Sequence, residues 1–328
     1  MTLIFHKVHG SGNTFYLHEE VENTTYNWTL TAQKMCDPSK ENGADGLLII
    51  SPSTRVDARM RVYNADGSEA SMCGNGLRCV ARFVLNKTGK QTATIETMKA
   101  DLTVRKVDSI FNSIDTYSVE ISPVSFELSS LPMIYKNSHQ IINEIMPEFS
   151  SDIHFTAVSV PNPHLIGIVP IQYIEDTHFQ EQLAASFNRE NIFFPDGVNV
   201  SFVHPVDDTS IFVRTYERGV GFTNACGTAM TASALVAATI KLVPYGETTV
   251  YNPGGFVKCA IEQSDTSSQL SLIGNATFFA TYTGILSDDG EFNWNSKILH
   301  DDEIEEYKEL EQLAKQKVKD GWSSESDM

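Results

Sequence analysis

The sequence predicts an α+β fold of two pseudo-symmetric domains, each a curled mixed or antiparallel sheet around a central buried helix, with the active site in the cleft between them. Three observations carry that expectation. First, "RVYNADGSEASMCGNG" (61–76) and "RTYERGVGFTNACGTA" (214–229) share Arg-x-Tyr and then Cys-Gly at identical spacing, offset by 153 residues. Second, short apolar or alternating runs recur through both halves, the pattern of strands in a sheet. Third, an apolar helical segment follows each Cys-Gly pair, residues 75–86 and 228–242. Both are apolar nearly all round, as in a helix enclosed by other structure.

Taken in order, strands are expected at "GLLIIS" (46–51), "ARMRVYN" (58–64), "ATIETM" (93–98), "LTVRKV" (102–107) and "TYSVEI" (116–121). Pro and Ser in "ISPVSFELSSLP" (121–132) mark the domain junction, giving domains at 1–124 and 125–274. The second half repeats the pattern with "HLIGIVP", "VNVSFV", "SIFVRTY", "TTVYNP" and "SQLSLIG". "DGLLI" (45–49) and "DGVNV" (196–200) add a second match between the halves, at offset 151. Two long repeats point to a pseudo-twofold protein, since a solenoid needs three or more. "NATFFATYTGIL" (275–286) is expected to return as a strand to the first domain. Residues 287–328 then form an acidic, helical extension in which Ile304, Tyr307, Leu310 and Leu313 recur at helical spacing. It reads as a solvated appendage or as a docking or dimerising helix.

The chain of 328 residues has room for two ordinary domains, and its 41% hydrophobic content is that of a globular protein. No apolar run approaches the ~18 residues of a membrane span. "MTLIFHKVHG" lacks the basic start and long apolar stretch of a signal peptide, so the expected compartment is the cytoplasm. A net charge of −18 argues against nucleic acid or an anionic membrane as partner, although a local site can still take an anionic substrate. From Ser287 onward thirteen acidic residues face five lysines, a net of −8. The five cysteines, Cys36, Cys73, Cys79, Cys226 and Cys259, form no disulfide framework and no Cys-x-x-Cys pair, so no metal site is expected.

Cys73 and Cys226 each stand directly before a glycine and a helix. A thiolate there is stabilised by unpaired backbone N–H groups and the helix dipole, and the same N–H groups bind a carboxylate. Two such thiols facing one cleft suit the movement of hydrogen from one face of a carbon to the other. One thiolate removes an α-proton while the opposite thiol delivers one, and the configuration inverts. That chemistry fits an amino-acid racemase or epimerase working without pyridoxal phosphate.

Six segments make the reading specific: "FHKVHGSGNTF" (5–15), "GADGLL" (43–48), "NADGSEASMCGNGLRCVARF" (64–83), "PNPH" (161–164), "GVNVSF" (197–202) and "ERGVGFTNACGT" (217–228). Over roughly residues 3–286 the chain resembles the diaminopimelate epimerase family. The resemblance implies a cofactor-independent isomerase that converts L,L-2,6-diaminopimelate to the meso isomer for lysine and peptidoglycan synthesis. It also implies a homodimer and a final strand returning to the first domain. By motif, Cys73 and Cys226 become the acid–base pair, assisted by His164 and Glu217. Gly74, Asn75, Gly227 and Thr228 would hold the reacting carboxylate, and Asn13, Asn64, Asn162 and Asn199 would supply polar substrate contacts. Arg218 would receive the distal carboxylate, and Glu217 the amino group or a proton-transfer role. His9, Cys36, Cys79 and Cys259 are assigned to packing.

On their own residues, Asn64 and Asp66-Gly67 read equally as a turn, Glu217-Arg218 as a surface ion pair and His164 as a turn or core residue. Two departures from the family pattern stand out: Ala229 where a glycine is usual, and Gly46 where some members carry glutamine. The alternatives are a racemase of the same superfamily acting on histidine, proline or hydroxyproline, and a thiol redox sensor. A nucleotide-binding module is disfavoured because "GNGLRC" lacks the third glycine and the phosphate-loop lysine.

Overall fold

A two-residue turn, Ser11-Gly12, folds β1 (Thr2–Gly10) against β2 (Asn13–Glu19) with Gly10 opposite Asn13. Both turn residues have positive φ, 56° and 76°, the backbone twist that a tight hairpin requires. The computed structural model describes residues 2–21, 26–263 and 268–325. The chain divides into two units, Met1–Glu120 with Ile273–Leu310, and Ile121–Leu272 with Glu311–Met328.

In the first unit α1 (Trp28–Met35) follows β2, capped by the Asn27 side chain. β3 (Gly46–Ser51) lies parallel to β2 and β4 (Ala58–Asn64) antiparallel to β3. Short β5 (Glu69–Ala70) leads into α2 (Gly74–Thr88), whose first eight residues are all buried. The helix stops where Gly89 takes φ 70° and its N–H closes on the Leu85 carbonyl, a left-handed C-terminal cap. β6 (Thr92–Glu96) runs parallel to β4, and β7 (Asp101–Val107) and β8 (Thr116–Ile121) extend the sheet antiparallel.

The second unit repeats this order. After β9 (Glu144–Ile145), β10 (His154–Ser159) and β11 (Pro163–Ile168) make the hairpin. Two helices, α3 (Gln172–Glu175) and α4 (His178–Phe187), precede β12 (Asn199–Asp207), which is parallel to β11. β13 (Ser210–Glu217) and β14 (Gly221–Thr223) lead to α5 (Gly227–Thr239), followed by β15 (Gly246–Asn252), β16 (Gly255–Gln263) and β17 (Ser268–Asn275). In α5 every residue from Gly227 to Ala238 is buried, and its many alanines let neighbouring elements approach closely. It ends three residues before the expected Leu242, because Lys241 turns left-handed at φ 64°. Each unit thus carries one enclosed helix, plus short helices (α1; α3 and α4) that the repeat did not announce.

The strand register corrects one of the two matches between the halves. Tyr63 lies opposite Leu47 and Tyr216 opposite Val200, so the equivalent residues of both blocks differ by 153. The "DG" pairs at 45–46 and 196–197 are therefore two residues out of structural register; Gly46 corresponds to Asn199.

β18 (Thr277–Leu286) pairs antiparallel with β1. Residues 292–299, expected to be helical with the rest of the extension, form β19 (Phe292–Leu299) against β18. Trp294 projects from it onto Tyr282 and Tyr16 and Phe292 onto Phe5, and Gly284 makes the approach possible: a Cβ there would clash with the Asn293 carbonyl. α6 (Asp301–Glu325) is no solvated appendage, for it buries Tyr307, Leu310, Ala314 and Val318. Burying a leucine such as Leu310 contributes about 1.5–3 kcal/mol. Among the described residues no helix is long and apolar enough to cross a membrane.

Candidate active site

Cys73 is the N-cap of α2, in extended conformation (φ −145°, ψ 111°), and its sulfur accepts the Gly76 N–H at 3.5 Å. A Cβ on Gly76 would lie 2.8 Å from a Leu48 methyl, so a side chain there would require Leu48 to shift. The thiol donates to Asn13 Oδ1 at 3.8 Å, and Asn75 Nδ2 donates to the same oxygen at 3.3 Å. Asn13 is itself held by Asp45, whose Oδ2 accepts Asn13 Nδ2 at 2.8 Å and the Thr14 N–H at 2.7 Å. Asn64 is exposed at the end of β4, where the turn to Ser68 begins, and its Nδ2 donates to Ser68 Oγ at 2.9 Å. That turn is tied to the same cluster by the Ala65 N–H on the Asp45 carbonyl. Gly74 and Asn75 open the helix, where amide N–H groups have no intrahelical partner.

Gly46 has a steric cause. A Cβ there would lie 2.5 Å from the Tyr63 carbonyl oxygen and 3.4 Å from the Phe15 ring. The backbone leaves no space for a glutamine in this conformation.

In the second unit Cys226 is the N-cap of α5 with similar backbone angles (φ −113°, ψ 109°), but it is buried. Its sulfur lies 3.5 Å from Thr228 Oγ1. Burial, and then the negative charge of Glu217, push this thiol well above the ordinary range, so it rests protonated. Glu217 is oriented by Thr223, whose hydroxyl donates to Oε1 at 2.5 Å. His164 is fully buried, with Nε2 2.9 Å from Asn162 Oδ1, and pairs in register with Asn199 across β11 and β12. Burial, and then the Arg218 charge, lower its pKa to about 3, so the ring is neutral. Asn199 Oδ1 accepts the Arg218 N–H at 2.8 Å, and the Arg218 guanidinium donates to the Asp196 carbonyl at 2.6 Å.

The structure thus gathers Asn13, Cys73 and Asn75 in direct contact in the first unit, with Asn64 attached through Asp45. In the second it joins Cys226 to Thr228 and Glu217, and His164 to Asn162 and Asn199, with Arg218 bonded to Asn199. Asp45 and Thr223 are the orienting residues that the motifs contained without singling out. Cys36, Cys79 and Cys259 are fully buried, as packing residues should be. So is most of His9. Among the described residues no group of three or more His, Cys, Asp or Glu is placed to hold a metal ion.

Comparison with known proteins gives this geometry its family. The family model for diaminopimelate epimerase matches residues 5–113 and 156–279. The diaminopimelate epimerase of Listeria welshimeri is 50% identical over 84% of this chain and 87% of its own. That of Enterococcus faecalis is 46% identical over 97% of this chain and 100% of its own. Among solved structures, a phenazine biosynthesis protein of the PhzF family from Bacillus anthracis superposes with a TM-score of 0.62 at 16% identity, covering 87% of this chain and 99% of that one. A hydroxyproline epimerase from Agrobacterium vitis gives 0.56 at 14% identity, covering 88% and 92%. These distant neighbours share the fold. On the sequence match, the chain belongs to the diaminopimelate epimerase family.

Proposed function

We infer that the protein epimerises L,L-2,6-diaminopimelate to meso-diaminopimelate, with Cys73 and Cys226 acting on one α-carbon as proton acceptor and proton donor. The observation that carries this reading is the duplicated cap: in each unit a cysteine precedes the first turn of an enclosed helix, after the same strand order. The helix-start N–H groups of Gly74, Asn75, Gly227 and Thr228 favour a carboxylate and the negative charge that develops as the α-proton leaves. The protonated state of Cys226 is the one required of the group that delivers hydrogen. A neutral His164 can polarise through hydrogen bonds without adding a second cation beside Arg218. Glu217 is a candidate partner for the substrate ammonium, and such neutralisation would lower the Cys226 pKa and let the same thiol act as base in the reverse direction. Arg218 offers a bidentate donor for the distal carboxylate.

The reaction serves lysine and peptidoglycan synthesis. We propose a cytoplasmic homodimer; the dimer rests on the family resemblance, and sedimentation at several concentrations tests it. The activity itself is tested by incubating purified protein with L,L-diaminopimelate and dithiothreitol, without added cofactor, beside proline, hydroxyproline and histidine. Formation of the meso isomer alone is expected. Inversion of proline or histidine without diaminopimelate turnover would contradict the assignment.

A further inference from the structure

The hairpin that carries Asn13 is held from beneath by residues outside the family motifs' assigned roles, and all of them lie in the first unit. Ser11 occupies the left-handed region, which costs a non-glycine residue on the order of 1 kcal/mol. Two bonds offset this: its N–H donates to Asn275 Oδ1 at 2.8 Å, and its hydroxyl accepts Arg78 Nη2 at 2.9 Å. Arg78 is fully buried and also donates from Nε to the Asn275 carbonyl at 3.0 Å. Gly10 sits against this guanidinium and the first turn of α2, for a Cβ there would lie 2.7 Å from Arg78 Nη2 and 2.8 Å from the Asn75 carbonyl. The next turn residue, Gly12, donates its N–H to His9 Nδ1 at 3.3 Å. Burial lowers His9 to about 3, which keeps that nitrogen an acceptor.

α6 closes over this assembly. The Tyr307 ring meets the His9 ring edge-on, centroids 4.3 Å apart and planes at 70°. One turn earlier, Glu303 takes both terminal nitrogens of Arg82 at 2.6 and 2.7 Å and also accepts the Phe278 N–H at 2.9 Å. Arg82 in turn donates to the Ala276 carbonyl at 2.7 Å. The start of α6 therefore grips both the 275–278 segment that carries Asn275 and the histidine that anchors Gly12.

We propose that Tyr307, through His9, and Ser11, through Arg78 and Asn275, are positioning residues that set Asn13 Oδ1 against the Cys73 thiol. The acidic extension is on this view a support for one half of the catalytic pair. The proposal rests on Cys73 acting as an acid–base group, and its test reads that thiol separately from turnover. Cys73 alkylation by iodoacetamide is followed against pH in a Cys226→Ser background, where the three remaining cysteines are fully buried. Tyr307→Ala is expected to change the Cys73 alkylation rate at least threefold, with a displaced pH profile. In the otherwise native protein it should lower kcat about tenfold, while Tyr307→Phe, which keeps the ring, restores both. If Tyr307→Ala does not fold, Ser11→Gly, which relieves the backbone strain but removes the hydroxyl, carries the same expectation. An unchanged alkylation profile in the folded variant overturns the proposal, whatever happens to turnover. A changed profile in a protein that never epimerised diaminopimelate would uphold the positioning and refute the function instead.

Discussion

Cys73 and Cys226 cap equivalent helices, yet Cys73 is partly exposed, whereas Cys226 is buried beside a carboxylate. The register makes the divergence traceable position by position. Asn64 corresponds to Glu217 and Gly46 to Asn199, each pair differing by 153. Arg61 forms a two-pronged pair with Glu69 at 2.8 Å; its counterpart Arg214 instead lies over the ring of Phe222, which stands where Glu69 stands, and donates inward to Gln180 and the Tyr173 carbonyl. Duplication has preserved the backbone that presents a thiol at a helix start. The side chains around that backbone have changed the charge each thiol feels. On the proposed mechanism the two thiols need not be electrostatically alike, since one starts as proton acceptor and the other as proton donor.

The most severe way to break this comparison is to remove either thiol. Cys73→Ala and Cys226→Ala should each lower kcat by about a thousandfold or more, because loss of either an acid or a base stalls inversion. Near-normal turnover by either variant would mean that the pair does not work as a pair. A smaller effect separates the two environments. Glu217→Gln removes the negative charge beside Cys226, so that thiol should be alkylated at lower pH while the Cys73 profile stays put. The same change should lower kcat/KM about ten- to a hundredfold; a shift at Cys73 rather than Cys226 would reverse the assignment of environments.

The smallest effect concerns stability. His9 in the first unit and His164 in the second are both held near 3 by burial, against about 6.5 unfolded. The unfolded chain then binds protons first, so their contribution is complete above pH 6.5 and is lost as pH falls toward 3, at about 1.4 kcal/mol per pH unit for each histidine. Urea unfolding of His9→Gln between pH 7 and 5 should show a shallower slope than the native protein by about one proton. An identical slope would mean that His9 is not buried neutral.

Much of this was legible from residues alone. The Arg-x-Tyr…Cys-Gly repeat located both thiols and both enclosed helices because a cap, a glycine and an apolar segment are local features with local physical causes. The short helices were not legible from the repeat: α1 and α4 both fall between the hairpin and the next parallel strand, yet their sequences share no motif, although Asn27 before "WTLTAQKM" was a capping signal. β19 was missed because the acidic residues around it dominate the composition, while its strand character rests on Trp294 meeting Tyr282 and Tyr16 and Phe292 meeting Phe5. The docking of α6 depends on Tyr307 finding His9, far away in sequence. At the site, motifs located Asn13 and Glu217, whereas Asp45 and Thr223, which aim them, act through contacts that spacing does not reveal.

The central claim is that two different thiols serve one carbon, and turnover of L,L-diaminopimelate in heavy water tests it most directly. With two bases, meso product formed in the first turnovers carries one solvent deuterium at the inverted carbon, while recovered substrate is still largely unlabelled. A product that retains the substrate's own hydrogen, or substrate labelled as fast as product, would point to a single base and contradict the account.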